Sequence, residues 1–357
     1  MRVDAAAAVG LHRMPQPAGE GGIDAVQEVE LIAALRRMHL LAADETLELT
    51  ALSGGVSSSI ALARTARGPV CVKRALAKLK VEADWFAPVA RNRAEVAWLR
   101  IAGDVVAGVV PRILGEDETA MAFAMEWLDP QAYPVWKSLL RDGVADARTA
   151  NAVGSALAAI HAATADDADL ARTFAHDAVF HALRLEPYLE ASARAHPRHA
   201  AALRDLSAIT AATKRVLVHG DVSPKNILVG TAGPVFLDAE CACYGDPAFD
   251  LAFCLNHLLL KCLWRPICAS AYLACFDSLA AAYLAAVDWE PRAAVEQRAA
   301  RLLPGLLLAR VDGKSPVEYL TAPEATAQVR AFALRYLEHP VARLDELREH
   351  WAQETIA

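Results

Sequence analysis

The chain has 357 residues, with 36 Lys and Arg against 43 Asp and Glu, which gives a formal net charge of -7. This acidic balance argues against a general nucleic-acid or anionic-membrane surface. The length exceeds the usual size of one hydrophobic core and predicts two lobes, and the runs of alanine predict a helix-rich protein.

The cysteines and the apolar stretches bear on the compartment in which the protein works. Seven cysteines, an odd number in apolar settings, predict reduced and buried thiols. The N-terminus lacks the apolar core of a signal peptide. We expect no span of roughly 18 uninterrupted apolar residues. The residues that break the richest stretches are His257, Lys261, Pro304 and Arg310. The sequence therefore predicts a cytoplasmic protein without a membrane partner.

The first part of the chain predicts an arm, a helix and an antiparallel meander. Residues 1–25 are rich in Ala, Gly and Pro without a clear period, which is typical of a flexible arm. Residues 28–41 have apolar positions at helical spacing. The period then changes to two, and glycine turns separate three short β segments, at residues 47–51, 60–64 and 70–73.

A further helix and strand complete an N-lobe that we place at residues 26–128. Ala94, Trp98 and Ile101 recur at helical spacing, and Phe123 and Met125 belong to an alternating apolar pattern that predicts a strand. A C-lobe, residues 129–357, is mainly helical. Its patterns predict helices around residues 153–160, 183–189 and 203–209, and one hairpin at residues 227–237. These patterns predict an α+β fold.

The most informative stretch for chemistry runs from His219 to Leu228 and is followed by Asp238. Asp221 and Asn226 lie on a loop that enters the predicted hairpin, and Asp238 follows its second strand. Phosphoryl transfer uses one carboxylate to orient or deprotonate the attacking hydroxyl, and an amide oxygen with a second carboxylate to hold Mg²⁺ against the phosphates. We assign Asp221 to the first role, and Asn226 and Asp238 to the second.

The N-lobe carries candidate nucleotide contacts. Lys73 ends a β segment and can reach the α- and β-phosphates, and Glu95 on the next helix can pair with it, with Glu82 as the rival partner. The turn at Ser53, Gly54, Gly55 and Ser57 lets backbone N–H groups approach phosphates, although a plain hairpin turn also explains it. The backbone of residues 125–128, at Glu126 and Leu128, is the expected hinge that contacts adenine.

Two motifs resemble those of a known superfamily. His219-Gly220-Asp221 with Asn226 resembles the catalytic loop of aminoglycoside phosphotransferases and choline kinases, which differs from that of protein kinases in having Gly220 in place of Arg. Asp238-Ala239-Glu240 is similar to the metal-binding segment of the same proteins. The resemblance implies a bilobal protein-kinase-like fold, ATP and Mg²⁺ as cofactors, and Glu240 as a further metal ligand.

A closer resemblance concerns the substrate. Residues 72–76, Trp85, Arg91 and Glu95 resemble methylthioribose kinases, which implies a methylthioribose-like sugar as the phosphate acceptor. Those enzymes carry an arginine pair near the C-terminal part, and the nearest counterpart here is the lone Arg310. This arginine, together with Asp312 and Lys314, is either a charged lid over the substrate or a solvated turn.

The alternatives concern the acceptor and the reaction. The short separation of Asp238 and Asp250 leaves no room for a long activation segment, so we expect a small-molecule hydroxyl substrate and not a protein. Lys225 is either a catalytic cation that neutralises the transferring phosphoryl group or a surface lysine.

Aminoglycosides or related antibiotics are the alternative acceptors. A non-catalytic nucleotide-binding protein and a nucleotidyl transferase of the same fold are the alternative functions, and the sequence does not determine whether the chain forms a homodimer.

Overall fold

A computed structural model of the protein describes residues 25–52, 58–76 and 91–355. Residues 1–24 of the predicted arm lie outside the described residues. The predicted phosphate turn at Ser53, Gly54, Gly55 and Ser57 also lies outside them, as do Glu82 and Trp85.

The first part of the chain forms one antiparallel sheet flanked by two helices. The helices are α1 (Ala25–Arg37) and α2 (Arg91–Val105), and the strands are β1 (Glu48–Ala51), β2 (Ser58–Thr65), β3 (Gly68–Ala75), β4 (Ile113–Asp117) and β5 (Ala122–Glu126). The strand order is β1-β2-β3-β5-β4. The predicted meander and both helices are confirmed, but the sequence analysis did not predict β4. Helix α1 also ends earlier than predicted, since His39 adopts a left-handed φ of 59° just beyond it.

The second part is mainly helical, as predicted. Its helices are α3 (Trp136–Arg141), α4 (Ala147–Ala163), α5 (Ala168–Thr173), α6 (Asp177–Phe180), α7 (Ala191–Ala195), α8 (Ala200–Ala212), α9 (Pro247–Trp264), α10 (Ala269–Ala285), α11 (Arg292–Asp312), α12 (Pro323–Glu338) and α13 (Leu344–Thr355), with a π-helix at His181–Glu190 and 3-10 turns at Pro197–His199, Pro224–Asn226 and Pro266–Cys268. The strands are β6 (Val216–Val218), β7 (Ile227–Gly230), β8 (Gly233–Phe236) and β9 (Cys243–Gly245). The predicted hairpin is β7–β8, whereas the β6–β9 pair was not predicted.

Helix α9 is the central element of this part. Every residue from Pro247 to Cys262 is buried, and α10 and α11 pack against it. Its first turn is capped by Asp246, whose side chain accepts a hydrogen bond from the backbone N–H of Ala248 at 3.0 Å. A buried helix with a fixed N-terminus can position polar groups of that turn, among them Asp250, without movement.

Helix α10, taken with the 3-10 turn before it, spans Pro266–Ala285 and has a mean hydropathy of 1.5. By length and composition, it is the one helix among the described residues that could cross a membrane. The expectation that no stretch approaches this limit was therefore too strong. Half of the stretch is buried inside the chain, including Phe276, Leu279 and Tyr283. Core helices pass the same test, and the packing of α10 against α4 and α9 is of that kind.

Helices α4 and α10 approach each other closely at Gly154. A Cβ atom at this position would lie 2.4 Å from the carbonyl oxygen of Leu279, which is far inside van der Waals contact. Glycine is therefore required here by packing and not by backbone conformation, because the residue lies within a regular helix.

We predict that Gly154→Ala destabilises the protein, because the added methyl group forces the two helices apart. The expected loss in the free energy of unfolding is about 1–3 kcal/mol, measured by urea denaturation. Ser155→Ala is the control, since Ser155 is the next residue of the same helix and is exposed. Equal stability of the two variants would contradict the close approach of α4 and α10.

Candidate active site

The loop after β6 is held by a carboxylate of α9. Asp250 accepts hydrogen bonds from the backbone N–H groups of His219, at 2.7 Å, and Gly220, at 2.8 Å. The His219 ring connects the loop to the hairpin, because its Nδ1 accepts from the backbone N–H of Asp221 at 3.1 Å and its Nε2 lies 3.1 Å from the carbonyl oxygen of Leu237. Because Nδ1 accepts a hydrogen bond and Nε2 faces a carbonyl oxygen, Nε2 is the atom that carries the proton. Burial lowers the pKa of His219, which favours this neutral form.

Two features of the structure require glycine at position 220. Its φ is +78°, in the left-handed region that disfavours a side chain. A Cβ atom would also lie 2.6 Å from the carbonyl oxygen of Cys241. The segment after β8 therefore packs directly against the loop where a protein kinase has arginine.

Asp221 lies at the centre of a buried polar group. Its Oδ2 is 3.0 Å from Nη2 of Arg184, 3.3 Å from Nζ of Lys225, and accepts a hydrogen bond from Nδ2 of Asn226 at 2.8 Å. Arg184 also donates to the carbonyl oxygen of Gly220. The Lys225 side chain is half exposed, and the negative charge of Asp221 raises the pKa of Lys225. The carboxylate is thus oriented from three sides by residues of the loop and the π-helix.

Lys73 joins the two parts of the chain. Its Nζ lies 2.7 Å from Oε1 of Glu95 on α2 and 2.5 Å from Oδ1 of Asp238 beyond β8. Burial raises the pKa of Glu95 to about 7. For Asp238, burial acts in the same direction, but the Lys73 ammonium outweighs it and holds the pKa well below its ordinary value. Asp238 has a left-handed φ of 68°, a strained conformation that is concentrated at functional sites.

Asn226 and Asp238 are brought together by the hairpin. The backbone N–H of Leu237 donates to the carbonyl oxygen of Asn226 at 2.9 Å, which places residue 238 beside the loop. Of the sequence-predicted residues, Lys73, Glu95 and Asp238 are in contact with one another through Lys73, and Lys225 and Asn226 both contact Asp221. The backbone hydrogen bond from Leu237 to Asn226 joins the two groups into one site.

Three comparisons with known proteins bear on this site. A model of the phosphotransferase enzyme family matches residues 48–295, which is more than half of the chain. The chain belongs to this family. No curated protein sequence matches significantly.

Solved structures agree with the fold of this family. A choline/ethanolamine kinase family protein from Mesorhizobium loti is 17% identical, with a TM-score of 0.53 over 93% of this chain and 99% of that chain. The ethanolamine kinase of Plasmodium vivax is 12% identical, with a TM-score of 0.52 over 83% of each chain. The amicoumacin kinase hAmiN, solved with AMP-PNP, Ca²⁺ and Ami, is 12% identical, with a TM-score of 0.54 over 88% of this chain and 96% of that chain. The predicted α+β protein-kinase-like fold and the superfamily resemblance are confirmed.

The residues of this family member fit a hard divalent cation. Asn226 directs its amide nitrogen to Asp221, which leaves the amide oxygen as the atom for a metal, and Asp238 supplies a carboxylate kept ionised by Lys73. Amide and carboxylate oxygens suit Mg²⁺, which otherwise keeps water and phosphate ligands. In the part of the chain that the structure describes, no group of three or more His, Cys, Asp and Glu could hold a metal alone.

Other predicted site residues have partners of their own. Glu240, predicted as a metal ligand, forms a buried ion pair with Arg91, whose Nε lies 2.9 Å from Oε2. Glu126 is the last residue of β5, and its Oε1 accepts from the backbone N–H of Arg112 at 3.0 Å. Leu128 follows in the irregular connection to α3. The roles of Glu240, Glu126 and Leu128 stay predictions.

The three charged residues near the end of α11 do not form one surface. Asp312 pairs with His196 and Arg330, each at 2.7 Å, and Lys314 pairs with Glu186 at 2.8 Å. Arg310 is instead buried. It is therefore not part of a solvated turn, and it does not form a lid together with the other two.

Arg184 is the site residue that sequence reasoning missed. It lies in a stretch predicted only as a helix, without a motif, and reaches Asp221 because the π-helix His181–Glu190 lies beside the loop. An arginine within a predicted amphipathic helix carries no signal of such a contact.

We predict that Asp250→Asn lowers kcat by ten-fold or more with little change in the KM for ATP. An amide offers one acceptor oxygen where the carboxylate serves two backbone donors, so the loop loses its fixed position while the N-lobe contacts remain. Steady-state kinetics measure both constants. Asp205→Asn, at an exposed position of α8, is the control, and a wild-type kcat in Asp250→Asn would contradict the positioning role.

Proposed function

We propose that the chain transfers the γ-phosphoryl group of ATP to a hydroxyl group of a small polar metabolite. The observation that carries this proposal is the single connected set of Lys73, Asp221, Asn226 and Asp238, contributed by both parts of the fold. Membership of the phosphotransferase enzyme family supports it.

Each residue has a role that its contacts support. Lys73, held by Glu95, binds the α- and β-phosphates. Asp221 orients the acceptor hydroxyl and takes its proton as the acceptor oxygen bonds to the γ-phosphorus and the bond from that phosphorus to the β-phosphate oxygen breaks, releasing ADP. Asn226 and Asp238 would hold Mg²⁺, which, when bound, neutralises phosphate charge. Lys225, beside Asp221, supplies a positive charge at the transferring group.

A methylthioribose-like sugar is the acceptor suggested by the resemblance of residues 72–76, Arg91 and Glu95. Arg91, one of these residues, pairs with Glu240 of the second superfamily motif and also donates to the carbonyl oxygen of Leu76 at 2.7 Å. An aminoglycoside or related antibiotic is the alternative. A non-catalytic nucleotide-binding protein would have no need of a complete set of phosphoryl-transfer residues.

The test is ADP release from Mg²⁺-ATP in the presence of methylthioribose, other sugars, amino alcohols and aminoglycosides. We predict acceptor-dependent release by the wild type that falls by about 100-fold or more in Asp221→Asn. The mass gained by the product distinguishes phosphoryl from nucleotidyl transfer. Release that is unchanged in Asp221→Asn would contradict the assigned role, and ATP binding without release for any acceptor would favour the non-catalytic alternative.

A further inference from the structure

A group of basic side chains is buried in the C-terminal part of α9 and at the end of α11. Lys261 is 1% exposed, and its Nζ lies 4.8 Å from the ring centroid of Tyr319 and 5.5 Å from that of Trp264. These two rings stack on each other with centroids 4.4 Å apart. His257 precedes Lys261 by one helical turn and is also buried. We call Lys261, His257 and Arg310, with the two rings, the basic cluster.

The basic cluster has donors without acceptors. Among the described residues, no carboxylate forms an ion pair with Lys261 and none of their oxygens accepts a hydrogen bond from it. The Arg310 guanidinium donates through Nη1 to Tyr188 and Ser315. Its buried Nε has no hydrogen-bond partner within the described part of the chain, and neither has the buried hydroxyl of Tyr319. Glu318, the adjacent carboxylate, forms its ion pair with Lys137 of α3.

An unpaired buried ammonium is unusual, because removing a charge from water costs on the order of several kcal/mol unless a counter-charge compensates it. This cost acts on Lys261: burial lowers the pKa of its ammonium to about 7. Burial, and then the positive charges of Arg310, Lys261, Lys225 and Lys137, hold the pKa of His257 well below its ordinary value. The charges that act on His257 are all positive, and those that act on Lys261 are Lys137 and Arg310 against the single carboxylate of Glu318, so the surroundings are complementary to an anion.

The basic cluster is connected to the reaction centre through aromatic side chains. Arg184, which contacts Asp221, lies 5.8 Å over the ring of Phe253 on α9. The Phe253 ring in turn lies 5.5 Å from that of His257. On the other side, Tyr188 lies 5.6 Å from the Phe253 ring and donor atoms of Arg310 reach its hydroxyl. Two chains of contacts therefore lead from Arg184, beside Asp221, to the cluster: one runs through Phe253 to His257, and the other through Phe253 and Tyr188 to Arg310.

We propose that the acceptor is an anionic hydroxy compound, whose oxyanion group, a carboxylate or a phosphate, binds Lys261 and Arg310 while its hydroxyl faces Asp221. The proposal rests on the proposed function and specifies its substrate class. The bound oxyanion supplies the acceptors that Lys261 Nζ, Arg310 Nε and the Tyr319 hydroxyl lack. A sugar acid or a sugar phosphate has both groups on one small skeleton. A polycationic acceptor would meet repulsion at this position.

The test uses the full chain and three six-carbon compounds that differ at one terminal carbon. Gluconate carries a carboxylate there, sorbitol a neutral hydroxymethyl group, and glucamine a cationic aminomethyl group. Each is assayed for ADP release with Mg²⁺-ATP and, independently of turnover, for thermal stabilisation of the chain with Mg²⁺-ADP. Glucose 6-phosphate and glucose form a second pair that distinguishes phosphate from carboxylate. We expect the anionic members to bind at least ten-fold more tightly than their neutral partners, and equal or better binding of sorbitol or glucamine would overturn the proposal.

Variants of Lys261 test whether a preference for anionic compounds arises from the basic cluster. Lys261→Met removes the charge at similar length and is expected to abolish the preference for the anion, leaving sorbitol binding unchanged. Lys261→Arg keeps the charge and is expected to retain the preference, and Lys214→Met, on the surface, is the control. A preference that persists in Lys261→Met would overturn the assignment. Because the methionine removes an unpaired buried charge, Lys261→Met is expected to remain folded, which circular dichroism checks.

The pH dependence gives a second readout. The folded-state pKa of Lys261 lies near 7, below its ordinary value, so the ammonium is present below pH 7 and lost above it. Anion affinity is therefore expected to fall as the pH rises through 7 in the wild type, and not in Lys261→Met. The titratable or charged groups around Lys261 are Cys254 and His257 of α9, Lys137 of α3, Arg310 of α11, and Glu318 and Tyr319 beyond it. A fall of the same size in both variants would overturn the role of Lys261.

The two proposals fail in different ways. If gluconate stabilises the wild type but not Lys261→Met, and no compound of any charge is phosphorylated, the proposed function fails and the anion site stands. If sorbitol or glucamine is phosphorylated and gluconate is neither bound nor phosphorylated, the function stands and the anion site fails.

Discussion

The buried ammonium of Lys73, held between a carboxylate of each part of the fold, is the interaction on which the site depends. Glu95 reaches it from α2 and Asp238 from beyond β8. Each contact alone is an ordinary ion pair, but together they fix the position of the sheet relative to the catalytic hairpin. The mutual attraction of these three charges offsets much of the cost of removing them from water. The same contacts that align the two parts therefore also favour the ionised form of Asp238.

The catalytic loop depends on a second constraint, which comes from the core. Helix α9 is buried along most of its length, and its first-turn Asp250 holds two backbone N–H groups of the loop. The close approach of Cys241 to Gly220 limits the loop from the opposite side. Further along, α9 also carries His257 and Lys261. One rigid helix thereby connects the reaction centre to the basic cluster that we propose for acceptor recognition. Its rigidity fixes the distance between the positions of the hydroxyl and the anionic group of one substrate.

Much of this arrangement could be predicted from the sequence, because its parts follow local rules. The meander and the hairpin have turn glycines, and the pairing of Lys73 with Glu95 followed from strand and helix positions. Strand β4 and the β6–β9 pair were missed because short strands have weak periodicity. Arg184 and the burial of Lys261 depend on how distant helices pack, and no local pattern encodes that. Arg310 shows the same limit, since its sequence context indicated either a charged lid or a solvated turn, whereas the fold buries it.

Phosphoryl transfer by Lys73→Met, compared with Lys73→Arg and with Arg74→Met, shows directly whether the site depends on the buried ammonium of Lys73. Arg74, the next residue of β3, pairs with Glu30 outside the site. Rates are measured with Mg²⁺-ATP at a temperature at which circular dichroism shows all variants folded. We predict that Lys73→Met loses transfer by about 100-fold or more while Arg74→Met retains it. A folded Lys73→Met variant that transfers phosphate at the wild-type rate would contradict the account.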